Sequence, residues 1–296
     1  MKKLLGKLFG KNSDRHSPEI PTKPLPPEAG PIQAALTFEP PQLIVGCAQS
    51  AGRQRDHNED ALFMLATTFT SEARNIPFGL FLVADGMGGH QYGELASGIA
   101  IRTVAAFIIE KLYTPLLSLK PVSPEESLQE IMHTAIQEAH RAILRSTPGC
   151  GTTMTAALIL GNQLTIAHVG DSRAYLSGSN GSLEVLTRDH SLVKRWVELG
   201  QLTSDEAAVH PQRNVLYRAL GQGEPVDPDL RTTQLPQAGR LLLCSDGLWG
   251  VVPEIEINHI ITHSPTPELA CQKLVEQANA AGGPDNITAL LVRLPG

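Results

Sequence analysis

The feature that most constrains the fold of this chain is a set of acidic residues that directly adjoin short apolar runs. These residues are Glu59, Asp60, Asp85, Asp171, Asp246 and Asp285. Asp85, for example, ends the run Leu80–Ala84. Because apolar runs of this length are typical of buried strands, each acid is expected at a sheet end, beside the core. Buried carboxylates repel one another unless a cation lies among them, so the pattern predicts strand ends gathered around a cation.

The residue types indicate which cation this would be. Aspartate oxygens, a backbone carbonyl and water suit a hard ion such as Mg²⁺ or Mn²⁺, whereas zinc would favour histidine and cysteine. Gly86 and Gly247 each follow one of the acids and lack a Cβ, which lets the backbone turn sharply or approach a ligand closely. One Asp-Gly pair is usually only a turn, and the prediction of a metal site depends on five separated acidic sites together.

Strand and helix patterns alternate along most of the chain. Strand-like segments lie at residues 153–160, 164–169, 174–176 and 287–294, and a turn at 178–181 predicts a hairpin. Helical spacing covers residues 94–112 and 267–280 and a third segment that follows the capping-box sequence Ser123–Glu126. Hairpins without strict strand–helix alternation predict an α+β fold with antiparallel sheets.

Composition excludes several classes of protein. The 296 residues are 42% hydrophobic, which is enough for a packed core in one domain or two small ones. No apolar stretch reaches the ~20 residues of a membrane-spanning helix. The net charge of −6 argues against a general nucleic-acid binder. The four cysteines form no CxxC pair, so neither a disulfide framework nor a thiolate zinc site is indicated, and a reducing cytoplasm is the expected compartment.

The first 42 residues differ from the rest and are predicted to be a flexible tail and linker outside a domain at 43–296. Residues 1–23 carry a net charge of +4 against −10 for the remainder, and a proline-rich run follows from Pro18 to Pro41. Residues 1–11 alternate lysine with large apolar side chains. Two interpretations stay open for them: a short basic helix on the inner, anionic membrane surface, or a solvated tail.

Six motifs together resemble one known family. In chain order they are Arg55–Asp60, Val83–His90, Gly151–Thr153, His168–Arg173, Leu243–Leu248 and Gly283–Asn286. This ordered set closely resembles the metal-dependent serine/threonine protein phosphatases of type 2C, the PPM family, in their bacterial form. The resemblance covers residues 43 to 294, about five-sixths of the chain, and its specificity lies in the whole set.

The resemblance implies a fold and a set of roles for particular residues. The fold would be a β-sandwich flanked by helix pairs (αββα) with a small flap at about 190–214. Two to three Mn²⁺ or Mg²⁺ ions would be held by Glu59, Asp60, Asp85, the Gly86 carbonyl, Asp171, Asp246 and Asp285. Asp85 would bridge two ions, Asp246 and Asp285 would hold one of them, and Asp171 would support a weaker third. Arg55 would bind the substrate phosphate, and Asn286 would orient Asp285.

The implied activity is hydrolysis of phosphoserine and phosphothreonine by direct attack of a metal-bridging hydroxide on phosphorus, with Arg55, Asp85 and Asp246 as catalytic residues. The substrates would be phosphoproteins, opposing a serine/threonine kinase, and nothing requires more than a monomer. Met87 stands where many relatives have a histidine that protonates the leaving alcohol, so the general acid is open, and His90 is not at the matching position. Four flap residues could contact a phosphoprotein: Arg195, Trp196, His210 and Arg213.

Two other functions stay open at this stage. One is a phosphoprotein-binding regulatory module of the same fold with weak catalysis, towards which only Met87 points. The other is a phosphomonoesterase for small molecules, whose metal centre would look the same.

Overall fold

Two antiparallel sheets form the centre of the protein, and helices cover their outer faces. The computed structural model describes residues 40, 42–70, 75–88, 91–118, 125–178, 181–223 and 225–295. The strands are β1 Ile44–Ser50, β2 Asp60–Thr70, β3 Asn75–Met87, β4 Gly151–Thr152, β5 Met154–Leu160, β6 Gln163–Val169, β7 Arg173–Gly178, β8 Leu183–Val185, β9 Asp229–Gln234, β10 Gly239–Cys244 and β11 Ile287–Leu294. The helices are α1 Gln91–Ile108, α2 Thr114–Leu116, α3 Leu128–Ser146, α4 Leu192–Glu198, α5 Ser204–Val209, α6 Asp246–Trp249, α7 Glu254–His263 and α8 Pro267–Ala280. The predicted α+β class with two antiparallel sheets is therefore confirmed.

The strand order explains why chain-distant acids can meet. One sheet has the order β1-β11-β10-β7-β8, and the other has β2-β3-β5-β6-β9, with β4 also paired to β3. β2 and β3 pair over eleven residues, from Asp60 opposite Asp85 to Thr70 opposite Asn75. β10 and β11 are antiparallel neighbours, so the end of β10 and the start of β11 lie at the same edge.

Apolar side chains fill three layers. Phe81, Val83, Leu243 and Leu290 belong to the layer between the two sheets, and all four are fully buried. A second layer joins β3 and β5 to α1 and α3, and a third joins β10 and β11 to α7 and α8. Strands buried on both faces explain the continuous apolar runs, because neither side of β3 or β10 faces water.

Two of the predicted helices differ from the sequence interpretation in their bounds, and α1 begins at Gln91, three residues before the predicted start. α3 begins after Ser127, whose side chain accepts from the Glu130 amide in a capping box, so the predicted cap at Ser123–Glu126 was wrong by four residues. Ser123 itself lies outside the described residues. The helix predicted to end at Leu112 is α-helical only to Ile108 and continues as a π-helical turn to Tyr113. α8 has the predicted bounds, with Thr266 as its N-cap.

The hairpin predicted at 178–181 is confirmed by the antiparallel pairing of β7 with β8. The segment predicted as a flap holds α4 and α5, and a bridge between Ser191 and Leu216 closes its base. Among the helices of the described residues, none combines the length and the apolar character required to cross a bilayer.

Candidate metal centre

Asp60 and Asp85 face each other across the β2–β3 ladder. Asp60 is the first residue of β2, and the strand register places it directly opposite Asp85 near the end of β3. Directly opposed residues have Cβ atoms about 5 Å apart, and like charges at such positions repel. The eleven-residue ladder therefore holds together two groups that would separate if left free.

Asp246 and Asp285 come to the same region from the other sheet. Asp246 is the first residue of α6, two residues after the end of β10, and Asp285 lies two residues before β11. Asp171 lies in the short connection between β6 and β7, where the chain passes from one sheet to the other. The structure thus gathers the acids predicted from the sequence at one end of the sandwich.

The environment raises the pKa values of these carboxyls. For Asp60, burial and the charges of Asp246 and Asp285 raise the pKa to about 7, although two hydroxyl donors oppose the shift. For Asp246, burial and the charge of Asp285 raise the pKa to about 6. Burial, followed by neighbouring carboxylates, also raises the pKa of Asp85 and Asp171 well above the ordinary range. Four acids that resist ionisation side by side are a strong signal of a site for positive charge.

Two buried carboxylate oxygens test whether a cation fits here. Asp60 Oδ2 accepts from Ser245 Oγ at 2.7 Å and from Thr288 Oγ1 at 2.6 Å. Asp60 Oδ1 and Asp246 Oδ1 are buried and have no hydrogen-bond partner in the part of the chain that the structure describes. An unpartnered buried oxygen is costly, and a hard divalent cation is the ligand that such oxygens suit.

The number of side chains available to each ion is limited. Within the described residues, no three acidic, histidine or cysteine side chains lie in position to hold one ion together. Mg²⁺ is commonly bound by one or two carboxylates and completes its coordination shell with carbonyls and water. A site with fewer than three acidic side chains per ion is therefore compatible with Mg²⁺. Asp285 is also engaged elsewhere, because its Oδ2 accepts from Arg55 Nη2 at 2.7 Å.

Gly86 occupies a position that a larger residue cannot take. A Cβ there would lie 2.2 Å from the Gly93 carbonyl oxygen and 2.7 Å from that of Glu59. The Gly86 amide also donates to the Glu59 carbonyl at 3.2 Å. This close approach ties the end of β3 to the start of α1 and to the loop before β2. The role of the Gly86 carbonyl as a metal ligand stays a prediction.

Asn286 does more than the sequence suggested. The backbone N–H of Asn286 donates to Asp285 Oδ1 at 2.8 Å, in line with the predicted orienting role. Its side chain, however, holds the loop that carries Arg55: Oδ1 accepts from the Glu59 amide at 2.8 Å, and Nδ2 donates to the carbonyls of Ala51 and His57. Glu59 itself has a largely buried side chain, 3.2 Å from His57 Nε2.

Three hydroxyl residues near the acids were missed as functional residues. Thr153 Oγ1 accepts from the Asp85 amide at 2.9 Å, and Ser245 and Thr288 donate to Asp60. Thr153 and Ser245 stand inside recognisable motifs and could have been found by their spacing. Thr288 is one residue in an apolar strand, and nothing in the sequence distinguishes it.

The acids open into a cleft of about 550 Å³. Its walls include Arg55, Met87 and, from the flap segment, Asn214 and Leu216. His90 lies outside the described residues. A cavity of this size, lined by several carboxylates and one guanidinium, suits a small anionic group accompanied by cations.

The raised pKa values predict how stability depends on pH. A carboxyl whose pKa is higher in the folded than in the unfolded chain binds more protons when folded, so stability is lost as the pH rises. In chelator, the free energy of unfolding should fall between pH 5 and pH 7, and Asp60 contributes at most about 1 kcal/mol per pH unit to that fall, less as the pH approaches 7. Urea unfolding at a series of pH values measures this slope.

Asp60→Asn is the matched variant for that slope, because it keeps the shape and the hydroxyl partners but cannot titrate. We expect a shallower fall with pH in this variant. An identical slope in both proteins would contradict the assignment of the raised pKa to Asp60. Asp227→Asn, at a carboxyl whose side chain is 84% exposed, should leave the slope unchanged.

Comparisons with known proteins identify relatives of this chain in sequence and in fold. The sequence profile described as Protein phosphatase 2C matches residues 46–287. The serine/threonine phosphatase stp of Listeria monocytogenes is 38% identical over 247 residues, covering 81% of this chain and 92% of the relative. The crystal structure of the Mycobacterium tuberculosis serine/threonine phosphatase PstP/Ppp superposes with a TM-score of 0.72 at 32% identity, covering 86% of this chain and all of the other. A structure of the catalytic domain of PstP in complex with two manganese ions has a TM-score of 0.70 at 31% identity and covers 86% and 99% of the two chains.

Proposed function

We propose a mechanism and a set of site residues for this chain, which belongs to the protein phosphatase 2C family and is a serine/threonine protein phosphatase. It removes the phosphoryl group from phosphoserine and phosphothreonine in proteins, with Mn²⁺ or Mg²⁺ as the cofactor. The single observation that carries the mechanism is the gathering of mutually repelling, buried carboxyls beside one arginine at the end of the sandwich.

The acids provide the binding site for the cofactor. Asp85, near the centre of the cluster, and Asp246, with its unpartnered oxygen, are the leading ligands. Glu59, Asp60, Gly86, Asp171 and Asp285 complete the proposed set. Divalent cations supply two kinds of chemistry when bound: they make water a nucleophile at neutral pH, and they neutralise charge on phosphoryl oxygens.

Arg55 captures the substrate. The Arg55 side chain is half exposed and lines the cleft, and its Nη2 atom forms an ion pair with Asp285. A guanidinium fork fits two phosphoryl oxygens at once, and its charge does not depend on pH in the physiological range. Arg55 would thus fix the phosphoryl group beside the acids and stabilise the charge that develops on its equatorial oxygens.

The leaving alcohol must obtain its proton from a group other than Met87. Met87 lines the cleft, but a thioether has no proton to donate. A water molecule in the cleft would be the donor, and its acidity would have to come from divalent cations held by the acids, because bulk water is no stronger an acid than a serine or threonine alcohol.

We further propose that residues 43–296 form the catalytic unit and that 1–42 lie outside the catalytic machinery. The family profile, which begins at residue 46, supports this boundary. A membrane contact through residues 1–11 and an opposing serine/threonine kinase stay predictions from the sequence.

Phosphate release from a phosphothreonine peptide and a phosphoserine peptide, with Mn²⁺ or Mg²⁺ titrated in, tests the proposed function. We expect turnover of both peptides. A binding module would bind without turnover, and a small-molecule esterase would hydrolyse p-nitrophenyl phosphate but neither peptide.

The same assay tests Arg55. Arg55→Ala should lower kcat/KM for the phosphopeptide by about 10- to 100-fold, mainly through KM, because a charge-assisted bidentate contact to the phosphoryl group is lost. Arg55→Lys should recover only part of the loss, since an ammonium cannot form the fork. Arg53→Ala, an exposed neighbour outside the cleft lining, is the control. An unchanged kcat/KM in Arg55→Ala would reject this role.

A further inference from the structure

A second groove, of about 420 Å³, meets the cleft that holds the acids. It lies between the flap helices α4 and α5 on one side and the residues around Trp249 on the other. Asp171, Asn214 and Asp246 line both spaces, so the two are continuous. We call it the flap groove. A peptide whose phosphorylated residue lies at the acids would have its neighbouring residues within reach of it, because an extended chain advances only about 3.3 Å per residue.

The floor of the flap groove is a fixed stack of side chains. The Arg173 guanidinium lies 3.6 Å from the centre of the Trp249 ring. Its Nε and Nη2 donate to the two carboxylate oxygens of the buried Asp189, at 3.0 and 2.7 Å. Glu254 is a second acid, 3.3 Å from Nη1. The charge of Arg173 is therefore compensated, and the floor offers a flat, nearly neutral surface.

The floor is also attached to the metal centre. Trp249 Nε1 donates to the Asp171 carbonyl at 3.0 Å, which ties the floor to the loop carrying one of the proposed ligands. A side chain that rests on this floor would thus lie beside the phosphoryl-binding end of the cleft.

The flap supplies an apolar wall and two cations. Val193, Val197 and Ala207 form part of the wall. Lys194 and Arg213 also line the groove, are exposed, and make no ion pair with any residue in the described ranges. The acid nearest to Lys194 along its helix, Glu198, is already paired with Arg188.

The other flap residues predicted to contact a phosphoprotein are engaged within the flap. Trp196 and His210 pack edge to face with ring centres 5.2 Å apart. The Arg195 guanidinium lies 5.6 Å from the Tyr217 ring centre. Of the four, Arg213 alone lines the groove.

We propose that the flap groove binds an acidic side chain that flanks the phosphorylated residue of the substrate, with Lys194 and Arg213 as the residues that select it. The inference rests on the proposed function, since it assigns a substrate preference to the same site. The positive charges of Lys194 and Arg213 beside a compensated floor favour a carboxylate, and the apolar wall accommodates the methylene groups of glutamate.

Paired phosphothreonine peptides test the proposal. Each pair differs only by Glu or Gln at one position, and the position is moved from three residues before to three residues after the phosphothreonine. At one or more positions, the Glu peptide should have a kcat/KM about three- to tenfold higher at low ionic strength, and the ratio should shrink with added salt. Ratios near one at every position would overturn the proposed role of the flap groove while leaving the phosphatase function intact.

Two double variants assign the preference to the named residues. Lys194→Gln with Arg213→Gln should bring the Glu-to-Gln ratio close to one, and Lys194→Glu with Arg213→Glu should lower it below one, so that the Gln peptide becomes the better substrate. Arg102→Gln with Lys273→Gln removes the same charge from exposed positions on α1 and α8 and should keep the wild-type ratio. A ratio that persists in Lys194→Gln with Arg213→Gln would overturn the assignment. Failure of the wild type to hydrolyse any of the peptides would overturn the proposed function and the groove with it.

Discussion

Asp246→Asn should lower kcat for phosphopeptide hydrolysis by more than about a hundredfold, because even the outer-shell partners of metal ligands are worth about 10- to 100-fold. Asp85→Asn should have an effect at least as large, since its carboxyl is coupled to four neighbouring acids. Steady-state kinetics at saturating Mn²⁺ provides the measurement. Manganese titration by calorimetry should show weaker or fewer binding events in both variants.

Stability separates this loss from misfolding. Asp246 Oδ1 is buried and has no hydrogen-bond partner among the residues that the structure describes, and burial with a nearby carboxylate raises its pKa to about 6. Removing that charge should leave the thermal midpoint of the protein in chelator equal to or above that of the wild type, while activity is lost. Asp227→Asn, at an exposed carboxyl, serves as the control and should keep full activity. Normal turnover in both Asp246→Asn and Asp85→Asn would contradict their assignment as ligands.

Chelation should abolish the activity of the wild-type protein, and added Mn²⁺ or Mg²⁺ should restore it. The reason is electrostatic: a cluster of buried acids cannot hold an anionic phosphoryl group unless cations reverse the local charge. The assay is phosphate release with EDTA, followed by metal added in excess. Circular dichroism before and after chelation shows whether the fold persists.

The pH dependence of the protein's stability provides a control for the chelation experiment. Burial, followed by the charges of Asp246 and Asp285, raises the pKa of Asp60, so metal that binds among these acids must displace protons at low pH and should stabilise the protein more at pH 8 than at pH 5. Full activity in excess chelator would refute the metal-dependent mechanism. Recovery of activity without added metal would refute it as well.

Much of the fold could be predicted from the sequence because burial leaves a direct signature. β11, predicted at 287–294, and α8, predicted at 267–280, have the observed bounds. Both segments are apolar at the spacing of their own secondary structure and end at capping or turn residues. The start of α3 was misplaced because Ser123 and Ser127 are each followed three residues later by glutamate, and local sequence cannot decide which cap is used.

The candidate site was predicted as a set of acids, and the contacts between them were not. Strand order and register decide which acids meet, and these depend on tertiary pairing rather than on local pattern. The pairing of Arg55 with Asp285, the bonds from Asn286 to the loop before β2, and the Arg173–Trp249 stack all join residues far apart in the chain. No local pattern marks these residues as contact partners, so only the fold reveals which of them touch.

The β2–β3 ladder has a consequence for how the protein matures. Eleven paired residues and the apolar layers on both sides of β3 hold Asp60 opposite Asp85. In small zinc domains the ion drives folding, whereas here backbone pairing and apolar packing oppose the repulsion between the two acids. We therefore expect a newly made chain to fold before it acquires its proposed ions, so that the supply of manganese or magnesium would govern how many molecules are active rather than how many are folded.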